Sequence, residues 1–514
     1  MKKTFKLVFL AILILSITVL TLGSCDFNLS GGNCVHEWND GEILEQGDCQ
    51  TPGLIRRECT KCGLTNEDRV ILKEHSESDW IVDQEATCIN GSMHTECTVC
   101  GTTVSTEKIP ASPEEHKYEN YNCIYCGLTS EECFEFTYLP ESDSYEVKKT
   151  WRIHLPEYVS IPSSHNDKPV THIGDYAFNG YKSLISVIIP NSVTTIGSHA
   201  FENGTNIINL VIGDSVTSIG DWAFYHCDNL TNVVIPDSVT TIGDYAFHYC
   251  TSLTDIVIGN GVTSIGNDAF YDCISLTGVV IPDSVTTIGT AVFYNCKSLS
   301  DIVISDNITY ISDYTFSNCT SLSDIVIPNN ITSIGEGAFA GCSSLTNILI
   351  PNSVTSIGHC AFKYCSNLTS IEIPDSVTFI GQQAFYSCTS LTSIDIPDGV
   401  TSIEDYTFTL CTSLTSIVIP DNVNMIRGSA FYGCANLTNV VIGNSVSWIS
   451  TYAFYDCINL TDVYYTRTPE KWDRIFIDSQ NNILKNATRY YYSEGEPTEE
   501  GNFWHWVDGK PVTW

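Results

Sequence analysis

A phenylalanine recurs every 23 residues through more than half of the chain, without an insertion or deletion. Its thirteen positions are Phe178, Phe201, Phe224, Phe247, Phe270, Phe293, Phe316, Phe339, Phe362, Phe385, Phe408, Phe431 and Phe454. Counted from each phenylalanine as position 0, Cys recurs at position 3, Leu at 6, Ile or Val at 9 and 11, Val at 15, Ile at 18 and Ala at 22. A strict period of this length predicts a solenoid, because no single coil can bury its own apolar face and stacked neighbours must supply the core.

Each coil is predicted to contain one short strand followed by a turn. Leu253, Ile256 and Ile258 have the spacing L-x-x-L-x-L, in which residues two apart point to the same side of a strand. Pro, Gly, Asn or Asp then turn the chain. A second apolar pair, Val262 and Ile265, leads towards the next phenylalanine, and a helical or 3₁₀ turn is predicted there. The predicted fold is an α/β solenoid with a parallel sheet on one face and short helical turns on the other.

The repeated pattern A-F-x-x-C-x-x-L-x-x-I-x-I-P-x-x-V-x-x-I-G, over roughly residues 153–492, resembles the BspA-like branch of leucine-rich repeat proteins. That resemblance implies a bacterial surface protein that binds host proteins, other microbes or extracellular matrix, and no catalysis. The expected function is adhesion, or recognition of an extracellular protein or glycan, on the exposed sheet face. The alternative is a structural coat or spacer protein without a specific ligand.

Residues 1–24 are predicted to be a secretory signal peptide. Lys2 and Lys3 precede an apolar run that ends in small residues. The tetrad Leu22-Gly23-Ser24-Cys25 resembles a bacterial lipobox, which implies that Cys25 carries lipid and that residues 25–33 form a spacer. The protein is then exported and lipid-anchored at the bacterial cell surface. An ordinary signal peptide with an incidental Cys, or an uncleaved anchor helix, is the alternative.

Residues 34–133 contain a second repeat, rich in Cys and His. In two copies a His precedes a lone Cys by thirteen residues and a Cys-x-x-Cys pair follows, whereas a shortened third copy lacks the lone Cys. Three thiolates and one imidazole make a closed structural zinc site. We predict structural zinc, with the disulfides that exported proteins usually favour as the alternative, because such small modules need one or the other. The candidate ligands are His36, Cys49, Cys59, Cys62, His75, Cys88, Cys97, Cys100, His116, Cys123 and Cys126.

The array is predicted to be capped at both ends, because a solenoid otherwise exposes its core to water. Residues 134–177 form the amino-terminal cap, residues 178–462 the array and residues 463–492 the carboxyl-terminal cap. Within that second cap, residues 469–477 are predicted to form a short amphipathic helix and residues 488–492 a final edge strand. Residues 493–514 are a linker and an aromatic tail, with a hairpin at Asp508-Gly509.

A column of valines is the candidate ligand face. If positions 9 and 11 of the strand face inward, position 10 faces outward, and the result is an apolar stripe longer than a soluble monomer normally exposes. The alternative is that valine occurs at this position only because it favours the β-strand conformation, without any role in binding. The candidate face residues are Val211, Val234, Val257, Val280, Val303 and Val326.

Two further columns accompany the phenylalanines. Eleven cysteines at position 3 would stack within disulfide distance, yet they are better interpreted as buried thiols that act as small hydrophobes and weak donors to backbone carbonyls. Tyrosines at position 1 are interpreted as either packing or contact residues. Cys360 lies off the cysteine column and is a candidate free thiol.

The charge distribution argues against a nucleic-acid partner. The chain has 60 acidic and 24 basic residues and a formal net charge of −36, whereas nucleic-acid binding depends on cations that neutralise phosphate. Recurrent Asp at position 13 offers either Ca²⁺ ligands or turn caps, and frequent Asn at that position favours caps. No enzyme is predicted, because the array histidines have no carboxylate partner at a shared position of the repeat.

Overall fold

The computed structural model of the protein describes residues 134–149 and 157–514, together with the backbone of eight short strands before residue 134. Three of these strands form an antiparallel sheet, three more form a second sheet, and the last two form an antiparallel pair. In chain order they are Glu42–Glu45, Gly53–Glu58, Thr65–Val70, Ile81–Gln84, Gly91–Glu96, Thr103–Ile109, Tyr118–Glu119 and Asn122–Cys123.

Each coil of the array contains two short strands and one turn segment. In the coil of residues 247–269, Asp255–Ile258 is one strand and Ser264–Ile265 is the other. Each strand pairs in parallel with its counterparts in the neighbouring coils, so two sheets run along the array where one was predicted. The apolar pair at positions 15 and 18 therefore belongs to a strand segment. The α/β assignment is wrong for the array, which is built from parallel strands and turns.

The first sheet contains positions 8–11 of the repeat. Its strands pair in register from the amino-terminal cap to the sixth coil, continue through isolated bridges at Val326, Leu349 and Glu372, and form a ladder again towards the carboxyl end. The strands are Tyr158–Ser160, Ser186–Ile188, Asn209–Val211, Asn232–Ile235, Asp255–Ile258, Gly278–Val280 and Asp301–Val303, then Ser416–Ile419, Asn439–Ile442, Asp462–Tyr465, Thr488–Tyr492, Phe503–Val507 and Lys510–Thr513.

The second sheet contains positions 17 and 18 and is divided into three ladders. The first ladder has Phe134–Leu139, Ser144–Lys149, Lys168–Ile173, Thr195–Ile196, Ser218–Ile219, Thr241–Ile242, Ser264–Ile265 and Thr287–Ile288, with Ser164–His165 paired to one of them. The second ladder has Tyr310–Ile311, Ser333–Ile334, Ser356–Ile357 and Phe379–Ile380, and the third has Ser402–Ile403, Met425–Ile426, Trp448–Ile449 and Phe476–Ile477.

The turn segment around each phenylalanine is not helical, and the predicted helical or 3₁₀ turn is wrong. Two residues per coil have positive φ, at two positions before and two positions after the phenylalanine, as in Tyr245 (56°) and Tyr249 (61°). These left-handed residues interrupt right-handed helical geometry. The N–H groups of Tyr245, Phe247 and Tyr249 donate to carbonyls of the next coil, so the backbone bonds run between coils and not along a helix.

The core follows the predicted apolar skeleton. Successive phenylalanine rings stack with centroids 5.0–5.9 Å apart and nearly parallel planes. Each cysteine at position 3 is buried and donates its thiol to the carbonyl of the phenylalanine in the preceding coil, at 3.1–3.5 Å. The eleven thiols are free, which confirms their interpretation as small buried donors.

The breaks in the second sheet coincide with the loss of a glycine. Position 19 is Gly in most coils, and a Cβ added at Gly266 would lie 2.5 Å from the backbone nitrogen of Asp244 in the preceding coil. At position 19, Ser312 follows Gly289 and Glu404 follows Gly381. These are the two places along the array where a residue with a side chain follows a glycine of the preceding coil. The ladder stops before the strands of these same two coils. We attribute the breaks to the extra space that the new Cβ requires.

Both caps extend the sheets. The hairpin of Phe134–Leu139 and Ser144–Lys149 begins the second sheet, and Tyr145 and Val147 pair with Val170 and Ile173. After residue 162, the short strand Ser164–His165 forms an antiparallel pair with the strand Lys168–Ile173 that follows it.

At the carboxyl end, a helix covers only Pro469–Trp472, because Phe476–Ile477 joins the second sheet beside Trp448–Ile449, so the predicted helix of residues 469–477 is too long. A second short helix covers Asn482–Asn486.

The strand predicted as the final edge, Thr488–Tyr492, is not the edge. Phe503–Val507 pairs with it in parallel and then forms a hairpin with Lys510–Thr513. Asp508 (φ 48°) and Gly509 (φ 73°) make the tight turn predicted there. Trp504 is fully buried and donates its Nε1 to the Tyr465 carbonyl at 3.0 Å, so the aromatic tail covers the end of the core.

Candidate binding faces

The six candidate valines lie on the outer side of the first sheet, and we call them, with Leu349, the valine stripe. Along the strand Asp255–Ile258, exposed and buried residues alternate, and Ile256 and Ile258 point into the core. The six valines are 49–78% exposed, and Leu349 is 71% exposed. Val234 pairs with Val257, Val280 with Val303 and Val326 with Leu349, so the stripe runs in register from coil to coil.

The stripe has defined ends. Glu372 follows Leu349 in the bridged column, and Asp395 holds the next position. Val418 is again exposed, whereas Val441, at the same position of the repeat, is buried beside Tyr464 of the carboxyl-terminal cap. The geometry thus gives the candidate residues the exposed orientation that a binding face needs. Ligand binding by this face stays a prediction.

Hydroxyl and acidic side chains border the stripe. Threonines at position 7, such as Thr254 and Thr277, donate Oγ1 to the carbonyl of the equivalent residue one coil earlier. At position 8, Asp255, Asp301 and Asp324 are exposed. The valine stripe, with Asp side chains beside it, would complement a partner that has an apolar ridge flanked by basic groups.

The second sheet offers a polar surface. An open groove of about 440 Å³ lies on this sheet. Its lining includes Asp244, Asn267, Thr290 and Asp313, all at position 20, and Tyr310 at position 17. The side chains at position 20 hold adjacent coils together, since the N–H of Asn267 donates to Asp244 and the N–H of Thr290 donates to Asn267. In each two-residue strand of the array the side chain at position 18 is buried, whereas the one at position 17 is half-buried or exposed. Position 17 is Ser or Thr in eight of the coils from residue 195 to residue 402.

Three aromatic side chains interrupt that hydroxyl column, and the sequence analysis missed them. Tyr310, Phe379 and Trp448 all occupy position 17, are 42%, 41% and 42% exposed, and are 69 residues apart, which is three coils. The signal that would have found them is this second period, three times the first. This second period is inconspicuous in the sequence because a repeat is recognised by the residues that recur, whereas these three depart from it.

A third surface consists of the aromatic side chains of the turn segments. Trp222 stacks on Tyr245 at 4.0 Å, and Tyr271 stacks on Tyr294 at 4.5 Å. The rings cover one another's faces, so the tyrosines at position 1 serve packing in these coils. His248 is buried among these rings, its Nδ1 has no hydrogen-bond partner, and burial lowers its pKa to about 4.

Two histidines do contact carboxylates, which the sequence analysis did not predict. His199 Nδ1 lies 2.8 Å from Glu202, and His226 Nδ1 lies 3.0 Å from Asp228. The two pairs occupy different positions of the repeat, so they do not form one recurring site. The Asp residues at position 13 act as caps between coils, as when the N–H of Asn260 donates to Asp237. Within the described residues there is no group of three or more His, Cys, Asp or Glu side chains that would hold a metal ion.

The amino-terminal predictions fall mainly outside the described residues. Cys25 and ten of the eleven candidate zinc ligands lie there, and Cys123 is placed only by its backbone, which pairs with Tyr118. Structural zinc and lipid attachment therefore stay predictions. None of the helices in the described part of the chain has the length and apolar composition of a membrane span.

Comparison with known proteins gives the family. The model described as "BspA type Leucine rich repeat region (6 copies)" matches residues 157–273, 240–365 and 332–461, together more than half of the chain. The chain belongs to the BspA-type leucine-rich repeat family. Comparison of the chain with curated proteins gave no match.

Two solved structures extend the comparison. A leucine-rich repeat protein of Bacteroides ovatus is 28% identical over 70% of this chain and 98% of its own, with a TM-score of 0.55. A leucine-rich cell surface protein of Faecalibacterium prausnitzii is 31% identical over 67% of this chain and 96% of its own, with a TM-score of 0.45. The BspA-type array of this chain is thus similar in fold to the leucine-rich repeat protein of Bacteroides ovatus.

Proposed function

We propose that this protein is an adhesion or recognition protein of the bacterial cell surface that binds an extracellular protein through the valine stripe. The observation that carries the proposal is the continuity of the stripe. Seven exposed aliphatic side chains follow one another, one per coil, from Val211 to Leu349. Exposing such a column to water is unfavourable, and a column of this length marks an interaction surface more often than an accident of strand preference.

The charge around the stripe defines the partner. Between residues 186 and 462 the only basic side chains are Lys297, Lys363 and Arg427, and they lie at positions 4, 1 and 19, away from the first sheet. Asp255, Asp301 and Asp324 border the stripe instead. A protein whose apolar ridge is flanked by Lys or Arg would complement this face, whereas a nucleic acid or another anionic polymer would be repelled.

The experiment measures binding to a panel of purified extracellular matrix proteins. The test variant carries Val257→Thr, Val280→Thr and Val303→Thr, which keep the β-branched shape and the strand preference while removing apolar surface. Val418→Thr is the matched control, because Val418 occupies the same position of the repeat outside the stripe and is also exposed. We expect at least tenfold weaker binding by the triple variant, and unchanged binding by the control.

The competing function is a coat or spacer protein without a specific ligand. It would be supported if the wild-type chain bound no member of the panel, or if the triple variant bound as tightly as wild type. Raising the ionic strength separates the electrostatic contribution to binding from the apolar one. Salt screens the attraction between the Asp side chains and a basic partner, whereas the apolar contact with the valine stripe remains.

The surface location rests on the amino-terminal segment. In this proposal Cys25 carries the lipid, residues 34–133 hold structural zinc and separate the array from the membrane, and the array faces outward without catalytic activity. Mass spectrometry of the mature amino terminus, together with the zinc content of chain purified without oxygen, tests the first two points. Two to three zinc ions per chain would support the modules, and missing thiols without metal would indicate disulfides instead.

A further inference from the structure

The second sheet carries exposed aromatic side chains at a fixed spacing, on a face separate from the valine stripe. Tyr310, Ser333, Ser356 and Phe379 are joined in one continuous parallel ladder, so the first two rings are three coils apart on an unbroken surface. With strands about 4.8 Å apart, the ring separation is about 14 Å. Trp448 follows after three further coils, in the next ladder, beside Phe476.

Folding does not require these rings. Eight other coils place Ser or Thr at the same position, and those coils have the same core residues. The three rings are about two-fifths exposed, so much of their apolar surface remains in water. A large aromatic side chain kept at the surface where a serine would fit indicates a contact with something outside the chain.

The surroundings of the rings are polar. Thr332, Thr355 and Thr378 are exposed at position 16 next to the ring column, and Ser333 and Ser356 lie between the first two rings. Hydroxyl groups both donate and accept hydrogen bonds. His359 is exposed one coil before Phe379, and the two ring centroids are 5.9 Å apart with nearly perpendicular planes. Aromatic rings separated by hydroxyl groups suit a ligand whose apolar faces and hydroxyl edges alternate.

We propose that this face binds a neutral polysaccharide in an extended conformation, with one sugar per coil and a ring stacked against every third sugar. An extended β-linked pyranoside chain advances by about one strand spacing per sugar, and its C–H faces pack on aromatic rings while its hydroxyls bond to the neighbouring side chains. The array has 24 acidic and 4 basic side chains between residues 178 and 462, which disfavours an anionic polysaccharide. The proposal does not depend on the valine stripe.

The spacing predicts how affinity depends on ligand length. A trisaccharide can cover only one ring, whereas a tetrasaccharide reaches from Tyr310 to Phe379. The experiment measures the affinity of the full mature chain for β-1,4-linked glucan, mannan and xylan oligosaccharides of increasing length. We expect one of these series to show a step of about tenfold between three and four sugars, the gain from a second stacked ring. A second step between six and seven sugars would mark contact with Trp448.

Three variants make the test specific. Phe379→Ser installs the residue that other coils already have and leaves Tyr310 and Trp448 six coils apart, so it should abolish the step at four sugars. Tyr310→Ser leaves Phe379 and Trp448 three coils apart, so it should keep that step and abolish the step at seven sugars. The combination Ser356→Tyr with Phe379→Ser moves the second ring one coil closer and should shift the step to between two and three sugars. The valine-stripe triple variant is the control, and it should bind the oligosaccharides as wild type does.

Several outcomes would overturn the proposal. These are no measurable binding of any neutral series, equal affinity for three and four sugars, or an unchanged step at four sugars in Phe379→Ser chain whose circular dichroism and melting temperature match wild type. Binding of anionic polysaccharides alone would overturn the assignment of a neutral ligand. Loss of matrix-protein binding in the valine-stripe variant, with oligosaccharide binding retained, would show that the two faces act separately.

Discussion

Individual residues of this solenoid are constrained mainly by the coil next to them. The cysteines at position 3 illustrate this, because each thiol donates to a carbonyl of the preceding coil and has no room for solvent. Burial raises the pKa of Cys342 to about 12 and that of Cys319 well above its ordinary value. A thiol in this environment behaves as a small apolar side chain with a weak donor.

The first prediction concerns thiol reactivity. At pH 8 we expect iodoacetamide to modify Cys360 in the folded chain well before any cysteine of the column, because Cys360 is partly exposed whereas the eleven others are buried. Peptide mass spectrometry after a short reaction checks the order of modification. The same reaction in denaturant is the control and should label all twelve. Early labelling of column cysteines in folded chain would contradict the buried assignment.

Glycine at position 19 is a second constraint that acts between coils. We predict that Gly266→Ala lowers the free energy of unfolding by about 1–3 kcal/mol, because its Cβ would meet the backbone of Asp244 at 2.5 Å and the coils would have to separate. Gly278→Ala is the matched control, since its Cβ would meet nothing closer than 3.4 Å. Denaturant unfolding of both variants gives the comparison. Equal stability of the two would show that coil spacing adapts at no cost.

At the scale of elements, the turn segments and the two sheets have different roles. The left-handed residues on both sides of each phenylalanine direct backbone donors to the next coil, so the turns stack as regularly as strands do. The aromatic side chains of these turns then pack on one another, and His248 is buried between Tyr225 and Tyr271. The sheets, in contrast, leave one column of side chains free on each outer face.

The His248 environment predicts a pH dependence of stability. Burial lowers its folded pKa to about 4, below the unfolded value of about 6.5. The unfolded chain therefore binds the additional proton first as the pH falls, and His248 should cost roughly 3 kcal/mol of stability between pH 6.5 and pH 4. Above pH 6.5 the imidazole is mainly neutral in both the folded and the unfolded chain, so His248 costs little stability there.

The variant His248→Tyr isolates this effect, because Tyr225 and Tyr271 hold the same position in the adjacent coils. Its free energy of unfolding should fall less steeply than that of wild type between pH 6.5 and pH 4. Chemical unfolding at several pH values measures both curves. Parallel curves would mean that His248 takes up its proton in the folded state without cost.

For the whole molecule, the array is one-dimensional, and each coil interacts mainly with its two neighbours. We predict that deleting residues 224–246, one full period, leaves a folded chain whose melting temperature falls by only a few degrees. Deleting residues 224–245, one residue fewer, should disrupt folding locally, because Phe247 can no longer follow Phe201 at the same position. Circular dichroism and thermal unfolding compare the two. Similar melting curves would show that register is not fixed by the phenylalanine column.

The repeat period, the inward residues and the buried thiols could all be predicted from the sequence, because the equivalents of Phe247 and Ile256 stay apolar in every coil and the equivalent of Cys250 is Cys in eleven of the thirteen coils. The outward direction of Val257 followed from strand alternation alone. The helical turn was a wrong prediction. The positive φ of Tyr245 and Tyr249 depends on bonds to the next coil, and neither residue type signals that conformation.

The stacking of the coils follows from the amino-acid sequence alone, since a 23-residue period with one constant apolar skeleton has no other way to bury that skeleton. That positions 17 and 18 form a second sheet is evident only from the folded coils, because each of these strands is two residues long and is formed by pairing with the neighbouring coils. The stacking of the coils also places Tyr310 and Phe379 on one ladder, with Trp448 exposed at the same position of the repeat in the next ladder. Residues 69 positions apart become neighbours on a surface only after the coils between them have stacked.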